Sequence, residues 1–153
     1  MPISWKQLFL RTLGRIIPSD LFSHRFPVSV KGVCLIDGQV VLLKNEHGYW
    51  DLPGGKLQRN EDIRSCLRRE LQEELNIQAE PGPLLSATQL RVRNTINVVV
   101  LIYRCTTTAR PQELRLSSEH FAIDTFPPAA LSGLGLPAPY RAAIDAAFAG
   151  SGT

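Results

Sequence analysis

The sequence predicts an α/β (α+β) domain in which a mixed β-sheet is flanked by helices, and three observations carry that prediction. Aliphatic and β-branched residues fill Val28 to Ile36 and Val40 to Leu43 on either side of Asp37-Gly38. Apolar residues recur at helical spacing from about Ile63 to Leu75 and again near the C-terminus. Ile96 to Cys105 is nearly continuous in apolar residues, as a central strand requires. At 153 residues and 17.0 kDa the chain has the size of one domain that buries a core without disulfides or a structural metal.

The elements follow in order. Ser4 and Gln7 have the form of a capping box, and Trp5, Leu8, Phe9, Leu13, Ile16 and Ile17 then line one face of an amphipathic helix that ends near Pro18. Its basic polar face would also suit an organelle-targeting peptide or a membrane surface, although packing on the domain or on a second subunit is the commoner fate. This sets residues 1–26 apart as a helical extension from a domain over 27–150. Asp37-Gly38 favours the positive φ angles of a hairpin turn, and His47-Gly48 makes a second break before Trp50-Asp51-Leu52. Pro53-Gly54-Gly55 is read as a rigid turn, and so is Pro81-Gly82-Pro83. Strands are expected over Leu84 to Val92 and Ile96 to Cys105, joined by Arg93-Asn94-Thr95, with a short strand from Phe121 to Phe126. Tyr140, Ala143, Ile144, Ala147 and Phe148 share one face of a final helix, after which Gly150 to Thr153 fray.

Bulk properties narrow the function. A net charge of +3 and a pI near 9.0 suit anionic small molecules and imply no dedicated nucleic-acid partner. Cys34, Cys66 and Cys105 show neither a pairing pattern nor metal-ligand spacing, so buried free thiols in a reducing cytosol are expected. No apolar run reaches the roughly 18 to 20 residues of a membrane span, and Lys6, Arg11 and Arg15 interrupt any secretory-signal core. A cytoplasmic protein is the expectation.

Chemistry is concentrated between Gly55 and Ile77. Glu70, Glu73 and Glu74 fall on one face of a single predicted helix, where they repel one another unless a cation compensates them. Oxygen donors at that density suit Mg²⁺ or Mn²⁺. The glycine turn upstream lets backbone carbonyls approach a metal or a phosphate, with Gly55 the chosen carbonyl ligand. Arg69, one turn before Glu73, could hold that carboxylate in orientation. Against this stands the ordinary reading of a Glu- and Arg-rich helix as a solvated face.

The spacing decides between them. Gly55, Glu61, Arg69-Glu70-Leu71, Glu73-Glu74 and Ile77 resemble the Nudix box, G-x5-E-x7-R-E-U-x-E-E-x-G-U with U aliphatic, at every specified position but one. The departure is Asn76 in place of glycine, which a left-handed residue after a helix tolerates. Trp50 to Gly55 resembles the family's approach to the box, and Ser117-Ser118-Glu119-His120 a recurrent element downstream, so residues 28 to 148 are covered. The resemblance implies a Nudix-type α/β/α sandwich and a metal-dependent pyrophosphohydrolase. In it Glu70 and Glu74 would bind the metal, Glu73 would assist, and Glu61 would act through water. Glu70, or Glu119 from the later loop, would take the proton of the attacking water.

For substrate contacts the candidates are Gln89, Arg91 and Arg93, which alternate on one strand face, and Tyr49 with Trp50, which could stack on a base. Plain surface for the first three, and core packing for the aromatics and for Cys66, are the competing readings. The expected substrate is a nucleoside diphosphate linked to another moiety: an ADP-ribose-like compound, a nucleotide sugar or a nucleoside triphosphate. The proline that often follows the box in ADP-ribose-cleaving members is absent, Val92 and Arg93 standing there. The alternatives are a nucleotide-sensing module that does not cleave and an isoprenoid diphosphate isomerase, the latter needing one of the three cysteines in its pocket. The extension's apolar face is one that a homodimer could bury.

Overall fold

A computed structural model describes residues 26–92, 96–118 and 120–150, so the predicted N-terminal helix and the connection at 93–95 lie outside the described residues. The chain forms strands β1 (Val28–Ile36), β2 (Gln39–Lys44), β3 (Trp50–Asp51), β4 (Glu80–Val92), β5 (Ile96–Thr106) and β6 (Ala122–Phe126). Helix α1 (Ile63–Leu75) precedes β4, and α2 (Ala138–Ala149) follows β6. Short 3₁₀ turns at Pro111–Glu113 and Pro128–Gly133 were not expected from the sequence, nor was the two-residue β3. All three are shorter than the windows over which a sequence pattern announces an element.

The strands make one mixed sheet in the order β3-β2-β1-β5-β4, with β6 paired to β2. β1 and β5 run parallel from Val28↔Val99 to Cys34↔Cys105, and every other pair is antiparallel. The hairpin between β1 and β2 turns at Asp37 and Gly38, whose φ angles of 50° and 74° are both positive, as a two-residue turn requires. β5 lies between β1 and β4, which matches its apolar run.

Alternation along the strands divides the core into two layers. Val30, Cys34, Ile36, Val41 and Leu43 face α1 and pack with its Cys66, Leu67, Leu71 and Leu75. Val33, Val40, Leu42, Val100 and Ile102 face the other way and meet Tyr140, Ala143, Ile144 and Ala147 of α2. The result is the expected α/β/α sandwich. All three cysteines are free and buried. Among the described residues no helix is long and apolar enough to cross a membrane.

One expectation is corrected. Pro81-Gly82-Pro83 does not turn the chain ahead of a strand; it lies inside β4, whose pairing with β5 shifts register between Pro81 and Leu84 and again before Ser86. Among the described residues β4 pairs only with β5 and so forms an edge, where a residue whose N–H would face outward forfeits no ladder bond and a bulge absorbs the irregularity.

Helix α1 carries its own end signals. Asp62 caps its start by accepting the N–H groups of Arg64 and Ser65, both at 3.1 Å. Asn76 ends it in the left-handed region at φ 57°, the conformation for which the sequence substitutes asparagine for glycine. In urea denaturation, Asn76→Ala is expected to lower stability by about 1 kcal/mol, whereas Asn76→Gly should hold it within about 0.5 kcal/mol.

Candidate active site

The segment between β3 and α1 is bound along β1. Gly32 N–H donates to the Pro53 carbonyl at 2.9 Å, Val30 N–H to the Gly55 carbonyl at 2.8 Å, and Leu57 N–H to the Val28 carbonyl at 2.9 Å. The carbonyls on either side of Pro53, of Leu52 and Gly54, each accept a bond of 2.9 Å from the Lys31 ammonium, which also pairs with Asp51 Oδ2 at 3.1 Å. Contact is so close that a Cβ on Gly54 would stand 2.2 Å from the Val30 carbonyl oxygen, and Gly54 has φ 122°. Only glycine fits this place.

On the facing side of the turn lie the carboxylates of α1. The Glu70 carboxyl occupies the space where a Gly55 side chain would begin, 2.5 Å from an ideal Cβ. Glu74, with only 8% of its surface exposed, accepts the Gly54 N–H on Oε2 at 2.6 Å, and its Oε1 lies 3.4 Å from His120 Nε2. Burial pushes the Glu74 carboxyl up to about 7 against the opposing pull of the Gly54 N–H and the Lys31 charge.

Arg69 holds the remaining carboxylates. Its Nε and Nη2 donate to Glu61 Oε1 and Oε2 at 2.8 and 3.0 Å, and its Nη1 to Glu70 at 2.8 Å and Glu73 at 3.1 Å. The bidentate contact with Arg69 holds Glu61 down at about 2. The expected Arg69–Glu73 contact is present, but Arg69 serves Glu61 and Glu70 as well. Glu73 remains largely exposed, whereas Glu61 and Glu70 do not.

Hard oxygen donors therefore meet at the turn: Glu70, Glu74 and the Gly55 carbonyl, which accepts from the Val30 N–H at 2.8 Å and only at a long 3.4 Å from Ser29 Oγ. This set fits a hard divalent cation. Among the described residues no three carboxylate, imidazole or thiolate groups already converge as a closed cage. A hard divalent cation held by one or two carboxylates completes its shell with water and substrate phosphate. Glu119 lies outside the described residues.

A second feature opens beside the turn on the α2 face. A cleft of about 370 Å³ is lined by Tyr49, Trp50, Asp51, Leu90, Arg91 and Tyr140, among others. The structure thus brings Tyr49 and Arg91 together. Gln89 is exposed on β4 outside the lining, and Arg93 lies outside the described residues. Tyr49 is open to solvent, while Trp50 is half-buried and meets Phe126 edge-on at 4.7 Å. Cys66 packs in the core beneath the turn, as the bland reading had it.

Lys31, Asp51 and His120 escaped assignment from the sequence. Lys31 had a signal: it is the one charged residue in Val28–Ile36. Asp51 and His120 stood in segments noted only as flanks of the box.

A family model described as the NUDIX domain matches residues 25–148. A MutT-like protein of Streptomyces ambofaciens is 33% identical over 103 residues, 66% of this chain and 64% of that protein. A CTP pyrophosphohydrolase of Escherichia coli (strain K12) is 35% identical over 65 residues, 39% of this chain and 48% of that protein. The chain thus spans less than two thirds of the length of these relatives. The crystal structure of a MutT protein from Methanosarcina mazei Go1 superposes with a TM-score of 0.71 at 23% identity, covering 86% of this chain and 99% of that one, a likeness of fold.

Gly54→Ala combines backbone strain with collision against β1 and is expected to cost about 2 to 4 kcal/mol in urea denaturation. Gly38→Ala is the comparison: its φ of 74° is equally positive, but nothing lies within 4 Å of the added Cβ. It should cost only about 1 to 2 kcal/mol.

Proposed function

This chain belongs to the Nudix family, and on that premise we propose that it hydrolyses a phosphoanhydride bond in a nucleoside diphosphate derivative, nucleoside triphosphates included, with Mg²⁺ or Mn²⁺. The observation that supports this most directly is the meeting of Glu70 and Glu74 at the Gly54-Gly55 turn, where Glu70 fills the space left by the missing Gly55 side chain. The relative named for CTP pyrophosphohydrolysis supports pyrophosphate-bond cleavage as the reaction class.

The bound cation would neutralise phosphate oxygens and make water a stronger nucleophile at neutral pH. Glu70, Glu74 and the Gly55 carbonyl are the residues that would hold it. Arg69 keeps Glu61, Glu70 and Glu73 at defined positions and tempers their mutual repulsion, with Glu73 assisting and Glu61 acting through water. The proton of the attacking water goes to Glu70 or to Glu119. Tyr49 and Arg91 would receive the nucleoside in the cleft, with Gln89 and Arg93 further along the same strand and its connection. The isomerase alternative loses support because Cys34, Cys66 and Cys105 all sit in the core beneath α1, and none lines the cleft.

Glu70→Gln and Glu74→Gln are each expected to lower metal-dependent release of phosphorylated products by about a hundredfold or more. The assay is a panel of nucleoside triphosphates, dinucleoside polyphosphates and nucleotide sugars, each with Mg²⁺, Mn²⁺ and chelator. Binding without cleavage across that panel would favour a nucleotide sensor instead. The division into a 1–26 extension and a 27–150 hydrolase unit predicts that removing residues 1–20 leaves turnover within about twofold. A drop in solution mass on that truncation would assign the extension to a homodimer interface.

A further inference from the structure

β1 places Lys31 in the row that also holds Val33 and Leu35, facing the apolar layer under α2. A strand interior gains little from an ammonium there. Only 12% of its side chain is exposed, and removing a charge from water is costly unless every donor is met. Every donor is met: the three bonds to Asp51 Oδ2, Leu52 O and Gly54 O saturate the three N–H groups. Asp51 is served less well, since its Oδ1 is buried with no partner among the described residues. A pair with an orphaned oxygen is poor value as a stabilising device, so its reason lies in what it holds.

What it holds is the turn. The backbone of β1 reaches only the alternate carbonyls of this segment, those of Pro53 and Gly55. Lys31 takes the two on either side of the Pro53 carbonyl, those of Leu52 and Gly54. The Gly54-Gly55 peptide has glycine on both sides and meets little steric resistance to rotation, so the bond from Lys31 to the Gly54 carbonyl is the restraint on it. The Gly54 N–H belongs to the preceding Pro53-Gly54 peptide, which β1 holds by its carbonyl and which Lys31 flanks on both sides through the Leu52 and Gly54 carbonyls; so held, it stays aimed at Glu74 Oε2, leaving Oε1 as the oxygen on offer, beside His120.

We propose that Lys31, neutralised by Asp51, is a positioning residue that clamps the peptides on either side of the Pro53-Gly54 peptide, keeps the Gly54 N–H on Glu74 and thereby orients that carboxylate for a divalent cation. This inference rests on the reading of Glu74 as a metal ligand. Lys31→Met alone would strand the Asp51 charge, so the test uses the full chain carrying Lys31→Met together with Asp51→Leu. Melting temperature, the Mn²⁺ dissociation constant by calorimetry, and the Gly54 amide proton resonance of the metal-free protein are measured against the parent chain and Glu74→Gln.

The expected result is a double variant that melts within a few degrees of the parent, binds Mn²⁺ about tenfold more weakly, and shows its Gly54 amide resonance moved upfield as the short bond to Glu74 loosens. A double variant with parental Mn²⁺ affinity and an unmoved Gly54 resonance, alongside a weakened Glu74→Gln, overturns the proposal alone. Parental Mn²⁺ affinity in Glu74→Gln overturns the ligand reading and the proposal with it.

Discussion

Everything at the site depends on how closely the Pro53-Gly54-Gly55 backbone lies against β1. That approach, within 2.2 Å of the Val30 oxygen for any Cβ on Gly54, is available to glycine only. It carries three consequences at once. The turn's carbonyls find donors on β1, the Gly54 N–H is turned toward α1, and space opens at Gly55 for the Glu70 carboxyl. A hydrophobic core holds the layers together, but it would do so for many turns. The polar contacts select this one.

Crowded carboxylates are the second constraint. Glu61, Glu70, Glu73 and Glu74 crowd along α1 around Arg69 and the glycine turn, and the protein handles them in two ways. Arg69 neutralises three by direct contact, the bidentate pair with Glu61 being the best formed. Glu74 is beyond its reach, buried, and pushed up to about 7, with a backbone N–H as its principal bond. A fixed guanidinium thus covers the rim of the cluster, while its inner member is the carboxylate with most to gain from a cation.

How far the sequence could be read followed from the range of each interaction. The hairpin at Asp37-Gly38, the bounds of α1 and the left-handed Asn76 were legible because each is set by residues within a few positions of one another. The carboxylate face of α1 was legible for the same reason. Pro81-Gly82-Pro83 misled, because whether such a tripeptide turns the chain or bulges an edge strand is decided by β5, which follows it. The Lys31–Asp51 pair, formed across 20 positions, and the 3.4 Å approach of His120 to Glu74 have no local period at all. The odd charge in an apolar strand was the only trace of the first.

The bulged start of β4 bears on the molecule's behaviour in a crowded solution. An edge strand of this length among the described residues, carrying exposed Leu84 and Val92, is a template on which another chain can extend the sheet. Pro81 and Pro83 remove two N–H groups from it, and the register shifts break its regular pitch. Self-templated growth along this border is therefore disfavoured from Glu80 to Ser86 and easiest in the stretch beyond it. The tripeptide that looked like a connector acts as a guard against uncontrolled sheet extension.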